Sequence, residues 1–133
     1  EVPKGVTLYR IDGPLFFGAA QKAMHTFSEI GRESKAVIFD VSHVPAMDAT
    51  GIVNLESALL RLKARSALAL LVGAQAQPRA LFKRAELEEV TGVVLCEDLS
   101  EAFERAEGFM ETRPLSQAAP PVTATRDSDA VSG

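Results

Sequence analysis

Two runs of strand length, AVIFDV at 36–41 and ALALLVG at 67–73, carry apolar residues without regular alternation, and a segment of helical periodicity separates them. A strand with one wet face alternates polar and apolar residues, so runs like these require cover on both faces. Strands joined through helices form parallel neighbours, because a parallel pair needs a long crossover. Such crossovers are right-handed and lay their helices against the sheet. This pair of runs therefore commits the chain to the α/β class.

The other elements fit around that centre. GVTLYRI, with Val6, Leu8 and Ile11, reads as a strand, and GPLFFG follows as a second short neighbour after the turn signal Asp12-Gly13-Pro14. From Gly18, residues Ala20, Ala23, Met24, Phe27 and Ile30 recur at helical spacing, giving a first helix that ends near Gly31. Ile52, Leu55, Leu59 and Leu62 mark a second helix. The third opens with Pro78 in its first position and carries Leu81, Phe82 and Ala85 inward. GVVLC is a short last strand, and in EDLSEAFERAEGFM Asp98 caps a fourth helix while Glu101 reaches back in a capping box. The expected fold is a mixed, mostly parallel sheet of about five strands with about four helices, the opening strand pair being the exception to parallel order.

At 133 residues, 47% of them apolar, the chain fits one domain with a core large enough to fold alone. That domain is expected over residues 1–113. From Pro114 to Gly133 the sequence holds three prolines and many small or hydroxyl residues without an apolar period. Such a segment cannot offset its ordering entropy by burial and reads as a disordered tail.

Charge narrows the partners. The net charge is −4, and acids gather toward the C-terminal end at Glu97, Asp98, Glu101, Glu104, Glu107 and Glu111. Nucleic acid is not an expected partner, because phosphate neutralisation needs a basic face. The single cysteine, Cys96, makes no intramolecular disulfide and asks for no oxidising compartment. The chain opens without a signal-peptide layout, and its longest apolar run falls short of the roughly 20 residues of a membrane-spanning helix.

Catalytic constellations are weak. His25, His43 and Cys96 lack the close spacing of zinc ligands, so neither metal nor cofactor is expected. Gly-x-Ser-x-Gly, Walker and Gly-x-Gly-x-x-Gly motifs are missing from the sequence. Asp40 and Asp48 form a nominal carboxylate pair, but Asp40 ends a covered strand and Asp48 precedes a helix, where an acid accepts backbone N–H bonds. Cys96 at a strand end reads as a packed small hydrophobe.

The segment MDATG at 47–51 is more informative. Asp48 and Thr50 are alternative helix caps, and Gly51 allows another backbone to approach closely or supplies an unusual dihedral. Its ordinary reading is a capped helix start. The sharper reading notes that Asp48, Ala49, Thr50 and Gly51 lie beyond the carboxyl end of a parallel strand, where α/β folds present ligand and partner contacts. A phosphate on Thr50 would bring about −1.5 to −2 charges there, favoured by the helix dipole and opposed by Asp48. A second strand-to-helix loop places Gln75, Gln77 and Arg79 at a helix start, a secondary candidate for an anion or nucleotide beside the plainer reading of a simple connection.

Taken together, IDGPLFFGAAQKA, AVIFDVSHVPAMDATGIVNL, LLVGAQAQPRALFKRA and EDLSEAFERA resemble the STAS domain over about residues 6 to 111. That family occurs at the cytoplasmic C-terminus of SulP-type anion transporters and, free-standing, as bacterial anti-sigma-factor antagonists. GPLFFGAA and the Gln75-to-Arg79 loop resemble the transporter branch, while Asp48-x-Thr50-Gly51 is shared by both. In the antagonists the hydroxyl before the glycine is the phosphoacceptor, which the resemblance places on Thr50. Glu86 stands where transporter relatives often carry the glycine that ends the third helix, so AELEEV is expected to prolong it.

The resemblance implies a STAS-like fold, no enzymatic activity, and a regulatory contact role. Glu1 would lie shortly after the last membrane segment of a bacterial SulP-type transporter, on the cytoplasmic face of the inner membrane. The implied partners are the transmembrane domain, a cytosolic regulatory protein or a second copy. The alternatives are a stand-alone antagonist switched by phosphorylation at Thr50, and a nucleotide- or anion-sensing module.

Overall fold

The computed structural model describes residues 2, 4–16, 21–22, 25 and 34–112. Along these the elements are β1 (Val6–Asp12), β2 (Ala36–His43), α1 (Ala49–Ala64), β3 (Leu68–Val72), α2 (Ala76–Arg84), α3 (Leu87–Thr91), β4 (Val94–Cys96) and α4 (Leu99–Thr112). The strands form a four-stranded sheet in the order β1-β2-β3-β4. Every neighbouring pair is parallel, with Ile38 of β2 opposite Leu8 and Leu70.

The first six residues of β2 are buried, as an unbroken apolar run demands. Successive side chains leave opposite faces of the strand. Val37, Phe39 and Val41 pack with Leu55, Leu59 and Leu62 of α1 and with Phe82 and Leu87. Ala36 and Ile38 join Leu70, Val72 and Cys96 under Ala102 and Ala106 of α4. The sheet thus lies between two helical layers, and Phe39 meets Tyr9 of β1 edge-on with ring centroids 6.2 Å apart.

Several boundaries differ from expectation. Of the second opening strand the described residues show one parallel bridge, Leu15 to Met47, and β1 pairs in parallel with β2. The described sheet has four strands where about five were expected. The expected first helix, 18–31, lies largely outside the described residues; Gln21, Lys22 and His25 are helical. The expected tail, 114–133, lies outside them altogether.

Pro78 is the third residue of α2 rather than the first. It is tolerated because the first four N–H groups of a helix have no intrahelical partner. The ladder begins only with the Arg79 N–H donating to the Gln75 carbonyl, 2.9 Å.

The helix prolongation through AELEEV does not occur. Glu86 takes a left-handed conformation, φ 53° and ψ 45°, and separates α2 from α3. It does the work of the glycine it replaces, at a cost of roughly 1–2 kcal/mol for an L-residue. That cost is met by burial on either side of it, Phe82 before and Leu87 after.

α4 begins as its sequence indicates. The Asp98 carboxylate accepts the Glu101 N–H at 2.9 Å. The Glu101 carboxylate turns back one residue further than a capping box requires, accepting the Glu97 N–H at 2.9 Å. That backbone bond, with the Arg105 guanidinium, lowers the Glu101 pKa from its ordinary value.

Candidate functional site

The carboxyl edge of the sheet carries the residues singled out in MDATG. Beyond β2 the chain turns at Val44, whose N–H donates to the Val41 carbonyl at 3.0 Å, and both Val44 and Met47 are buried. This connection is held from two sides. On one side the Gly13 N–H donates to His43 and the Leu15 N–H to Ala46, each at 2.9 Å. On the other, the Gln77 side chain accepts the Met47 N–H at 2.8 Å and donates to the Met47 carbonyl at 3.0 Å.

The helix start built on that connection is tight. Asp48, in extended backbone, is the cap, and its Oδ1 accepts the Gly51 N–H at 2.8 Å. Thr50 is therefore the second helical residue and not the cap; it is half-buried, with Ala49 exposed before it. The Asn54 side chain donates to the Thr50 carbonyl at 2.9 Å. Gly51 is buried against the Leu15 backbone carbonyl, and a Cβ there would overlap that oxygen and press on the Met47 side chain at 3.3 Å. Close approach of a second backbone, not an unusual dihedral, is why glycine stands at 51.

The second predicted cluster disperses its polar groups. Gln75 Nε2 donates to the Ser42 carbonyl at 2.9 Å, Gln77 is engaged on Met47, and Arg79 Nη2 donates to the Ala74 carbonyl at 3.3 Å. Each side chain has its own backbone partner. Arg79 also lines a groove of about 710 Å³ in which Lys83, Glu86, Glu88 and Glu89 place both signs of charge. The two glutamines nevertheless join the two strand-end loops, which the sequence placed only on a common edge.

The nominal carboxylate pair is not a pair. Asp48 is spent on its own helix, whereas Asp40 is buried in an ion pair with Arg10 of β1, Nε to Oδ2 3.1 Å. Asp40 Oδ1 also accepts from Ser42, its hydroxyl at 2.7 Å and its N–H at 3.1 Å. Burial alone would raise the Asp40 pKa, but the two Ser42 bonds and the Arg10 charge together carry it below the ordinary value. The Cys96 thiol is shifted up by burial and by the Glu101 carboxylate, which disfavours the thiolate. Among the described residues no group of three or more His, Cys, Asp or Glu side chains is arranged to hold a metal ion.

Sequence reasoning missed two links, Gln77 to Met47 and Arg10 to Asp40. Both join residues 30 apart in the chain, Arg10 to Asp40 through the parallel register of β1 on β2 and Gln77 to Met47 through the meeting of the α2 start with the connection after β2. Alternation in β1 could have indicated Arg10, but only the register of β1 on β2 supplies its partner.

Comparison with known proteins agrees with this geometry. The bicarbonate transporter BicA of Synechocystis sp. is 28% identical over 102 residues, 76% of this chain and 18% of that protein. The chain thus spans less than a fifth of that relative's length. The crystal structure of a sulfate transporter family protein from Wolinella succinogenes superposes with a TM-score of 0.74 at 28% identity, covering 84% of this chain and 93% of that one. The anti-sigma factor antagonist SpoIIAA in its unphosphorylated form shares the fold, with a TM-score of 0.64 at 18% identity over 81% of this chain and 94% of its own. No helix among the described residues is long and apolar enough to cross a membrane. With the STAS domain family model matching residues 1–102 and its fold and helix corner both present, this chain belongs to the STAS domain family.

Proposed function

We propose that the chain is the non-enzymatic regulatory domain of a bacterial SulP-type anion transporter, joined to a membrane part through its N-terminal side and working at the cytoplasmic face of the inner membrane. The observation that carries its contact role is the Asp48-to-Gly51 corner: capped by Asp48, set on Ala46 and Met47 that the Leu15 N–H and the Gln77 side chain hold, and leaving Ala49 exposed with Thr50 half-buried beside it. Such a corner suits contact rather than bond-breaking, since its acid is already engaged as the cap. The 28% likeness to BicA and to the Wolinella domain favours the transporter branch. A partner held there changes transport only as far as it prefers one conformation of the membrane part. The reading is tested on the full open reading frame upstream of Glu1. Hydrophobic spans are expected there; an initiator methionine within a few codons, with none before it, overturns the assignment.

A second reading is favoured by one observation, the place of the Thr50 side chain in the first turn of α1, near the positive end of the helix dipole. On it the domain is a free-standing antagonist released from a kinase-like partner by phosphorylation of Thr50. Incubation with candidate kinases followed by mass spectrometry tests it; no phosphate on Thr50 under any condition removes it.

A further inference from the structure

The opposite edge of the sheet, where the strands begin, has a different chemistry. Lys4 precedes β1, Lys35 precedes β2, and Arg61, Lys63 and Arg65 close α1; all five are exposed. Backbone bonds gather these segments: the Lys35 N–H donates to Gly5 and the Leu68 N–H to Lys35, each at 2.9 Å. The Arg65 guanidinium reaches the Ser34 carbonyl at 3.0 Å, and Lys63 Nζ reaches the Val90 carbonyl of α3 at 3.2 Å. Leu60, which precedes Arg61, and Val90, whose carbonyl takes the Lys63 bond, are exposed by 39–40% beside these cations.

Complementing the helix dipole accounts for cations in the last turn of α1, but not for Lys4 and Lys35, which stand in loops. Acids border this edge as well, Glu33 standing two residues before Lys35 in the sequence. Glu88 and Glu89 stand on α3 and line the α2–α3 groove with Lys83, and Glu107 and Glu111 flank Met110 of α4, whose side chain lies against Gly5. On an acidic domain, five exposed cations gathered beside exposed aliphatics have the composition of a patch that rests on a lipid interface.

We infer that this amino edge, Lys4, Lys35, Arg61, Lys63 and Arg65 with Leu60 and Val90, lies against the anionic headgroups of the adjoining membrane leaflet. The inference deepens the proposed function and rests on it. A chain entering β1 from a membrane part brings this edge toward the lipid, and each cation that comes within about a Debye length, roughly 8–10 Å, gains from the negative surface potential. The Asp48-to-Gly51 corner then points away from the membrane, toward soluble partners.

The 133-residue chain is tested by co-sedimentation with phosphatidylcholine vesicles, with and without about one-third phosphatidylglycerol, at lipid on the order of millimolar. Binding is expected to the anionic vesicles only, and to fall about tenfold or more when salt is raised from about 0.05 to 0.5 M. K35E/R61E is expected to lower binding about tenfold or more, while R79E/R105E, with the same change in net charge, stays within about twofold. Circular dichroism and thermal melts establish that both variants are folded. No binding, equal binding to neutral vesicles, or the same loss in both variants overturns the inference. A failure of this kind leaves the transporter reading in place, and an upstream frame without membrane spans leaves the vesicle result standing.

Discussion

Gln77 serves Met47 as a neighbouring strand would, with one side-chain amide answering both the N–H and the carbonyl of a residue 30 positions earlier. The helix corner is thereby tied to the start of α2. Gln77→Ala opens both bonds, and a cost of about 1–2 kcal/mol is expected in urea unfolding. Gln77→Glu keeps an acceptor for the N–H but sets a carboxylate against the Met47 carbonyl, so it is expected to cost at least as much.

Gly51→Ala forces a Cβ into the Leu15 backbone carbonyl, which no side-chain rotation relieves. Overpacking against backbone is expected to cost about 2–4 kcal/mol, read from chemical denaturation. Amide shifts at Leu15 and Met47 are expected to move with it.

The structure assigns capping to Asp48 and leaves the Thr50 hydroxyl out of it. Asp48→Ala is expected to cost about 1 kcal/mol, and Thr50→Val less than about 0.5 kcal/mol, in thermal or urea unfolding. Reversed magnitudes would return the cap to Thr50.

At Glu86 the chain holds an L-residue in a left-handed turn, and the side chain is exposed. Glu86→Gly removes that strain while loosening the unfolded chain, for a net gain expected at about 0.5–1 kcal/mol. A melting temperature raised by a few degrees is the corresponding readout.

Asp40 makes stability depend on pH on the acid side. Its folded pKa lies below the unfolded value, so its contribution is fully present above the ordinary carboxyl range and is lost as pH falls through the folded pKa. The loss is expected below about pH 4. Asp40→Asn is expected to cost roughly 1–3 kcal/mol at neutral pH and to flatten the stability profile in that window, measured by urea titration across pH.

What the sequence disclosed was whatever is written locally. The covered strands follow from run length alone, because a half-wet strand cannot afford Val37-Ile38-Phe39 in succession. Asp98 was legible as a cap because it stands alone before an apolar helical face, and Gly51 as a position that needs glycine, although close approach and an unusual dihedral stayed equally open there. The Gln77 amide looked like a ligand group because its true partner is set by how two loops meet, not by its neighbours. Glu86 misled for a related reason: the lack of a glycine there suggested a continuing helix, yet the chain takes the left-handed turn with Glu86 itself, between buried Phe82 and Leu87. At the corner, the type of contact was readable but the identity of the cap was not, since Asp48 and Thr50 are equally good in sequence and only the backbone register of α1 separates them.

The strand order β1-β2-β3-β4 runs in step with the chain. Among the described residues each strand emerging from the ribosome therefore finds its neighbour already made, and no later strand has to thread between two earlier ones. A domain wired in this way can complete its sheet during synthesis, adding one strand at a time to an edge already in place.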